Sequence, residues 1–297
     1  KVTQKMTIHS IPNTISGQDD IARLQAAATR ETTPCGSGQL VWRIWGKSGT
    51  PVVLLHGGSG SWIHWVRNIG ALVKAGHVVY VPDLPGFGES DISPEAFDAD
   101  GQAEWVAQGI QQFLGDMPYD LIGFSFGSMV ATFMAVQYPQ QVRRLVVVGA
   151  PALTAESVRR VNIQSWRPIN TSIERHAVHK HNIRTLMLAQ DESVEDYIVK
   201  HYGTDAENDR IPQRRLFKTD ILRQKMPYVR CPVWGIWGAQ DVLYLGVETS
   251  VLAGLSRAPC FQALTQIPSA GHWVQYEGFR HFNRDLLTIL ETDTVAT

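Results

Sequence analysis

A single serine between two glycines is the feature of the sequence with the clearest chemical meaning. Residues 123–127 read G-F-S-F-G, directly after an apolar run that starts at Tyr119 and directly before a second apolar run that ends at Val136. This order predicts a strand that turns sharply into a helix at Ser125, and glycine on both sides suits so tight a turn. The N–H groups of the first helical turn then lie beside the serine hydroxyl. Ser125 is therefore the candidate nucleophile.

Two further residues supply the partners that a nucleophilic serine needs. A serine hydroxyl is a weak nucleophile at neutral pH, so it requires a base, and the base requires an acid that holds its tautomer. His272 follows the last predicted strand and is the candidate base, with a surface-loop histidine as the structural alternative. Asp241 follows the preceding strand in a turn of small residues and is the candidate acid, with an Asx turn as the alternative.

A glycine-rich loop offers backbone donors for the oxygen of a substrate. His56 and the two glycines after it follow the buried run at residues 51–55. The N–H of Phe126 and that of Gly58 would form an oxyanion hole, each contributing roughly 2.7–4 kcal/mol to the transition state. Ser59 stays open as the alternative second donor. The candidate substrate-binding residues are Ser59, Trp62, Phe124 and Trp273.

Short apolar strands alternate with helical segments over most of the chain. This alternation predicts an α/β fold, a mostly parallel doubly wound sheet whose ligands bind beyond the carboxyl ends of the strands. An antiparallel strand is expected at residues 39–45, before the parallel series. Helical spacing predicts a first helix over Gln18–Arg30 and a last helix from about Glu277 to Leu290.

The alternation is interrupted between residues 151 and 227, where the chain becomes polar and rich in arginine and histidine. We expect this stretch to form a helical cap on the carboxyl edge of the sheet, with residues 1–150 and 228–297 as the core. His176, His179 and His181 lie in it, and we interpret them as substrate contacts. A metal site is disfavoured because His181 would point away from the other two. No metal or cofactor is expected.

Composition excludes several classes of function. The 297 residues include 27 Lys+Arg and 28 Asp+Glu, a formal net charge of −1, with no run that favours nucleic acid or an anionic membrane. Cys35, Cys231 and Cys260 are widely spaced and suggest no disulfide framework. Without a signal-peptide pattern or an apolar run of about 18 residues, a cytoplasmic protein is expected. The expected partner is a small-molecule substrate, and a homodimer stays open.

The chain order of serine, acid and histidine, with the glycine loop ahead of them, resembles the serine-nucleophile branch of the α/β-hydrolase family. Residues 271–277, GHWVQYE, are similar to the C-terminal segment of meta-cleavage-product hydrolases, which split a carbon–carbon bond in ring-fission products of aromatic degradation. Members of that subfamily usually carry asparagine where this chain has Phe124. They also use a cap arginine for the substrate carboxylate. A rough alignment of the cap places Lys200 or His201 there, with Arg184, Arg214 and Arg215 as substitutes.

These residues predict a serine hydrolase that acts on a small, largely apolar ester or related acyl substrate. The resemblance to the meta-cleavage-product hydrolases implies carbon–carbon bond hydrolysis as the alternative. A ligand-binding protein on the same fold without activity is the alternative of another class. Enzymes of this fold that use an aspartate nucleophile are disfavoured by Ser125 itself.

Overall fold

The computed structural model describes residues 11–12, 15–154, 159, 161–190, 194–211 and 214–293. These residues form an eight-stranded sheet in the order β1-β2-β4-β3-β5-β6-β7-β8. The strands are β1 (Thr29–Cys35), β2 (Gly38–Trp45), β3 (Thr50–Leu55), β4 (His77–Pro82), β5 (Tyr119–Phe124), β6 (Val142–Val148), β7 (Val233–Gly238) and β8 (Phe261–Ile267).

Helices cover both faces of this sheet. The α-helices are α1 (Gln18–Ala27), α2 (Ile69–Lys74), α3 (Ala99–Leu114), α4 (Phe126–Gln137), α5 (Ser172–Asn182), α6 (Asp196–Glu207), α7 (Ile221–Lys225), α8 (Glu248–Leu255), α9 (Val274–Glu277) and α10 (Phe279–Glu291). Short 3₁₀ turns lie at Trp62–Trp65, Leu216–Lys218 and Met226–Tyr228, and a π turn lies at Ile183–Met187. No helix among the described residues is long and apolar enough to cross a lipid bilayer.

Strands β3 to β8 run parallel, whereas β1 and β2 are antiparallel to their neighbours. All six residues of β5 and all six of β7 are buried, because helices pack on both sides of these central strands. This arrangement confirms the predicted α/β class with a mostly parallel, doubly wound sheet. It also directs the loops after β3, β5, β7 and β8 to one edge, where ligands bind in open α/β sheets.

Of the two predicted terminal helices, the first differs from the sequence-based expectation. The predicted first helix runs too far, because α1 stops at Ala27 and residues from Thr29 onward pair with β2 as an edge strand. Three threonines within Thr29–Cys35 favour a strand there, although the polar, mostly exposed pattern hides it in the sequence. The predicted last helix, from about Glu277 to Leu290, corresponds to α10, and the short helix α9 precedes it.

The segment between β6 and β7 carries α5, α6 and α7, and we call residues 151–227 the cap segment. Residues 155–158, 160, 191–193 and 212–213 of it lie outside the described residues. Side chains of the cap segment bond to the loop that follows β3, since Asp205 accepts from Ser61 and Asp209 accepts from Ser59. The cap segment therefore contacts the same edge of the sheet as the candidate nucleophile.

Candidate active site

Ser125 occupies the turn between β5 and α4 in a backbone conformation that few residues adopt. Its φ is 50° and its ψ is −116°, and its N–H donates to the carbonyl of Val148 at 2.8 Å. A side chain on Gly123 would collide with the backbone of Gly127, and one on Gly127 would collide with the carbonyl of His56. Glycine on both sides is thus a steric requirement of this turn, which holds the serine in a strained geometry.

The structure brings the candidate base and acid to this serine. Nε2 of His272 lies 3.1 Å from Oγ of Ser125, and Nδ1 of the same ring lies 2.7 Å from Oδ2 of Asp241. The other carboxylate oxygen of Asp241 accepts from the N–H of Leu243 at 3.0 Å. All three side chains are buried. With its proton on Nδ1, the imidazole donates to Asp241 and can accept the serine proton at Nε2.

The loop after β3 approaches the nucleophile closely. A Cβ on Gly57 would stand 3.3 Å from Cβ of Ser125 and 3.0 Å from the ring of Phe124, so only glycine fits without a shift. The N–H of Gly57 already donates to Nδ1 of His64 at 3.0 Å. Gly58 and Ser59 therefore stay the two candidates for the second oxyanion donor beside Phe126.

His56 shapes this loop, a role that the sequence did not reveal. Its Nε2 accepts from the N–H of Leu84 at 2.8 Å, so Nδ1 carries the proton and donates to the carbonyl of Gly57 at 2.7 Å. Burial lowers the pKa of His56, which keeps the imidazole neutral, and the two hydrogen bonds select its tautomer. The ring thereby ties the loop after β3, residues 56–61, which we call the candidate oxyanion loop, to the loop after β4.

His64 is a second buried histidine that sequence reasoning missed, because it sits at ordinary core spacing. Its Nδ1 accepts the N–H of Gly57, and its ring lies edge-on to the rings of Phe124 at 5.2 Å and Trp273 at 5.1 Å. Burial lowers its pKa well below the usual value, so the ring is neutral with its proton on Nε2. That atom is buried and has no hydrogen-bond partner among the described residues.

The four candidate substrate-binding residues fall into two groups: Ser59 lines a cleft, whereas Phe124, Trp62 and Trp273 are buried in the interior. Ser59 lines a cleft of about 270 Å³ that it shares with Tyr202 and Asp209 of the cap segment. Phe124 is fully buried, with its ring 5.0 Å from the imidazole of His272. The two tryptophans pack inside the protein.

Both indoles support loops of the site. The ring of Trp62 lies 5.6 Å from that of Trp45, and its backbone N–H donates to Asp83. The ring of Trp273 stacks on Tyr276 at 4.3 Å, and its Nε1–H donates to the carbonyl of His64 at 2.9 Å. These contacts fix the 3₁₀ turn at Trp62–Trp65 and the segment that directly follows His272.

One arginine of the cap segment reaches the candidate oxyanion loop. The guanidinium carbon of Arg214 stands 3.1 Å from the point where a Cβ of Gly58 would lie, and 5.7 Å from the ring centre of Phe126. Its Nη2 bonds to Asp209 and to Ser59. Its Nε is buried without a hydrogen-bond partner in the described part of the chain. Arg214 thus places a guanidinium, paired with Asp209, beside Gly58 and the ring of Phe126.

The other cap cations that the alignment suggested lie elsewhere. Lys200, Arg184 and Arg215 are exposed. Lys200 lines a cleft with His176 and Glu207, and Asp209 is not among the residues that line it. His201 is half-buried, and desolvation lowers its pKa, so it is a neutral group near pH 7.

The cap histidines take part in local polar contacts. Nε2 of His179 lies 2.9 Å from Glu207, and Nε2 of His176 lies 3.5 Å from Asp196. His181 lies 3.4 Å from the hydroxyl of Thr185. Across the residues that the structure describes, no group of three or more His, Cys, Asp or Glu side chains could hold a metal ion.

Asp205 contributes a titratable contact between the cap segment and the candidate oxyanion loop. It accepts the hydroxyl proton of Ser61 at 2.6 Å. Desolvation by burial raises its pKa to about 8, with a smaller contribution from the charge of Asp83 and an opposing one from Arg43. Because the folded pKa lies above the unfolded one, the folded chain keeps a proton that the unfolded chain releases. Its contribution to stability is present at low pH and is lost as the pH rises to about 8.

We therefore expect the Asp205→Asn variant to gain stability relative to the wild type as the pH rises from 5 to 8.5. The asparagine keeps an acceptor for Ser61 but has no proton to lose. Urea unfolding at pH 5, 6.5 and 8.5 measures the difference. Asp196→Asn is the control on the same helix, because the pKa of Asp196 is lowered by its hydrogen bond to Lys180. A difference in unfolding free energy between Asp205→Asn and the wild type that does not change with pH would contradict the raised pKa of Asp205.

Comparison with known proteins agrees with this architecture. A family model described as alpha/beta hydrolase fold matches residues 50–169. The chain resembles a meta-cleavage product hydrolase from Pseudomonas fluorescens, with a TM-score of 0.72 and 22% identity over 88% of this chain and 97% of that one. It also resembles a carboxylesterase from Bacillus subtilis, with a TM-score of 0.69 and 19% identity over 89% and 92% of the two chains. The chain therefore has the fold of the α/β hydrolases.

Sequence relatives extend over most of the chain. A 2-hydroxy-6-oxo-6-phenylhexa-2,4-dienoate hydrolase of Burkholderia cepacia is 27% identical over 264 residues, 82% of this chain and 88% of that protein. A 2-hydroxy-6-oxononadienedioate/2-hydroxy-6-oxononatrienedioate hydrolase of Comamonas testosteroni is 26% identical over 262 residues, again 82% and 88%. The protein accordingly has the α/β-hydrolase fold and is similar in sequence to hydrolases of these two names.

Proposed function

We propose that the chain is a serine-type hydrolase that cleaves a carbon–carbon bond in a ring-fission product, a keto acid whose carboxylate is conjugated through a diene to a second carbonyl. The observation that carries this choice is the position of Arg214, whose guanidinium stands beside Gly58 and Phe126. A substrate carboxylate in a dry pocket needs such a cation, since burying it unpaired is costly. The names of the relatives from Burkholderia cepacia and Comamonas testosteroni support the same substrate class.

The proposed reaction uses the three triad residues in two stages. Oγ of Ser125 adds to the keto carbon while Nε2 of His272 accepts its proton, and Asp241 stabilises the imidazolium that forms. The N–H groups of Phe126 and of Gly58 or Ser59 bind the oxyanion. Before this addition the dienol becomes a ketone, its hydroxyl proton moving to the carbon beside the keto group that is attacked. The bond between these two carbons then breaks, its electron pair is delocalised through the remaining double bond onto the new keto oxygen, and His272 returns the proton to this fragment. Water, deprotonated by the same imidazole, cleaves the acyl ester on Ser125.

A second candidate function is hydrolysis of small carboxylic esters, and Phe124 favours it. Its apolar ring lies against His272, where the carbon–carbon hydrolases usually carry a polar asparagine. An ester needs only the triad, the oxyanion donors and an apolar surface. Parallel assays of a yellow ring-fission dienoate and of p-nitrophenyl acyl esters separate the two functions. Fast bleaching with slow ester turnover supports the first proposal, and the reverse pattern supports the second.

Arg214→Gln tests the proposed carboxylate contact. A hydrogen bond to a charged group contributes about 1.5–3 kcal/mol, so we expect kcat/KM for the dienoate to fall roughly 10- to 100-fold. Turnover of a neutral ester should change little, because it has no carboxylate. Arg215→Gln is the matched control, since this neighbouring arginine is exposed. Equal losses on both substrates would show that Arg214 supports the loop without recognising a carboxylate.

A further inference from the structure

The loop that carries His272 is tied to the cap segment by one carboxylate. Glu277, the last residue of α9, accepts the N–H of Gly271 at 2.6 Å on Oε2. The same side chain accepts the N–H of Ala189 at 3.0 Å and that of Gln190 at 2.7 Å. The residue directly before His272 and the residues that follow the π turn of the cap segment therefore share one acceptor.

A second contact joins the same two segments on the other side of His272. The N–H of Trp273 donates to the carbonyl of Met187 at 2.7 Å. A Cβ on Gly271 would stand 2.7 Å from the backbone of both Leu188 and Ala189, so only glycine permits this approach. Backbone residues 187–190 of the cap segment thus lie against both neighbours of His272.

From these contacts we infer that Glu277 is a positioning residue that couples the cap segment to the imidazole of His272. The inference rests on the proposed role of His272 as the base. A carboxylate is the side chain that suits this place, because it offers two oxygens that only accept, and three N–H groups point at them. In glutamine one of these oxygens becomes an NH₂ group that faces donors.

The catalytic consequence follows from the distance that the imidazole must keep. Nε2 of His272 stands 3.1 Å from Oγ of Ser125, at the limit of a useful hydrogen bond. A misplacement of about 1 Å in such a pair can slow a reaction roughly 10²-fold. Glu277 therefore acts on the rate of serine attack through the backbone of Gly271, and a shift of the cap segment would move the imidazole with it.

The chain provides a matched control in Glu195. This residue also joins the cap segment to the core, through Arg67 at 3.0 Å and through the hydroxyl of Tyr276. It makes no hydrogen bond to Gly271 or to His272. Loss of either carboxylate weakens the contact between cap segment and core, but only the loss of Glu277 releases the loop of the base.

The experiment compares Glu277→Gln, Glu277→Asp and Glu195→Gln with the wild type in the full chain. We expect the acylation rate with a fluorophosphonate probe to fall about 10- to 100-fold in Glu277→Gln and less in Glu277→Asp, which keeps the charge. KM for the dienoate or the p-nitrophenyl ester, whichever the wild type turns over, should stay within about threefold of the wild-type value. Glu195→Gln should acylate at the wild-type rate. The low-field proton resonance of the His272–Asp241 hydrogen bond should broaden only in the Glu277 variants.

Two outcomes overturn the inference: wild-type acylation by a folded Glu277→Gln chain, or an equal slowing by Glu195→Gln. If Glu277→Gln does not fold, the Glu277→Asp variant decides by the same criteria. A wild type that never reacts with the probe would refute the proposed serine mechanism instead. In that event the low-field resonance still decides whether Glu277 positions the imidazole.

Discussion

Replacing Ser125 with alanine is expected to abolish hydrolysis, with kcat falling on the order of 10⁶-fold, as the loss of a triad serine does elsewhere. The hydroxyl stands 3.1 Å from Nε2 of His272 in a turn that presents no second nucleophile to that ring. The same variant should no longer react with a fluorophosphonate probe. Activity on the dienoate and on p-nitrophenyl esters, together with mass analysis of the labelled protein, measures both effects.

The same chemical change at Ser256 is the control. This serine lies at the end of α8, where its hydroxyl donates to the carbonyl of Leu252 on the surface. Ser256→Ala should keep both activity and labelling. Undiminished labelling of Ser125→Ala, or an unlabelled wild type, would remove the basis for a serine mechanism.

The Asp241→Asn variant is expected to lose about 10⁴-fold in kcat. Oδ2 of Asp241 accepts a hydrogen bond from Nδ1 of His272 at 2.7 Å, which holds the ring in the tautomer that leaves Nε2 free to accept. An asparagine can present its NH₂ group to that nitrogen instead, so the proton moves to Nε2 and the base is lost. Steady-state kinetics at several pH values, with circular dichroism to confirm folding, measures the effect.

Glu248 is the control for this prediction, because it is the nearest acid downstream of Asp241 in the sequence. Its carboxylate accepts the N–H of Gly246 at 3.0 Å at the start of α8 and makes no hydrogen bond to His272. Glu248→Gln should keep nearly full activity. A dead Glu248→Gln beside an active Asp241→Asn would transfer the acid role to Glu248.

The fold class could be read from the sequence because the central parallel strands are short, mostly apolar runs between turn residues. The run from Tyr119 to Phe124 is a clear example, since every residue of this central strand is buried. The edge strand Thr29–Cys35 escaped detection for the opposite reason. Its residues are mostly polar and exposed, and its pairing with Gly38–Trp45 is a tertiary contact that leaves no pattern in its own composition.

What the sequence determined by itself about the site is local. The positions of Ser125, His272 and Asp241 follow from their place directly after strands, because parallel strands deliver their following loops to one edge. Steric demands on the chain around Ser125 likewise appear in the sequence as Gly123 and Gly127. Each of these signals lies within a few residues of the group that it identifies.

What only the tertiary structure decided is every contact that joins distant parts of the chain. Glu277 meets Ala189 across 88 residues, and Ser59 meets Asp209 across 150. The same is true of the guanidinium of Arg214 beside Gly58. No local pattern encodes such pairs, because the sequence around Glu277, Asp209 or Arg214 is equally compatible with a solvent-exposed side chain. Packing of the cap segment against the sheet edge selects which of these side chains reach the candidate site.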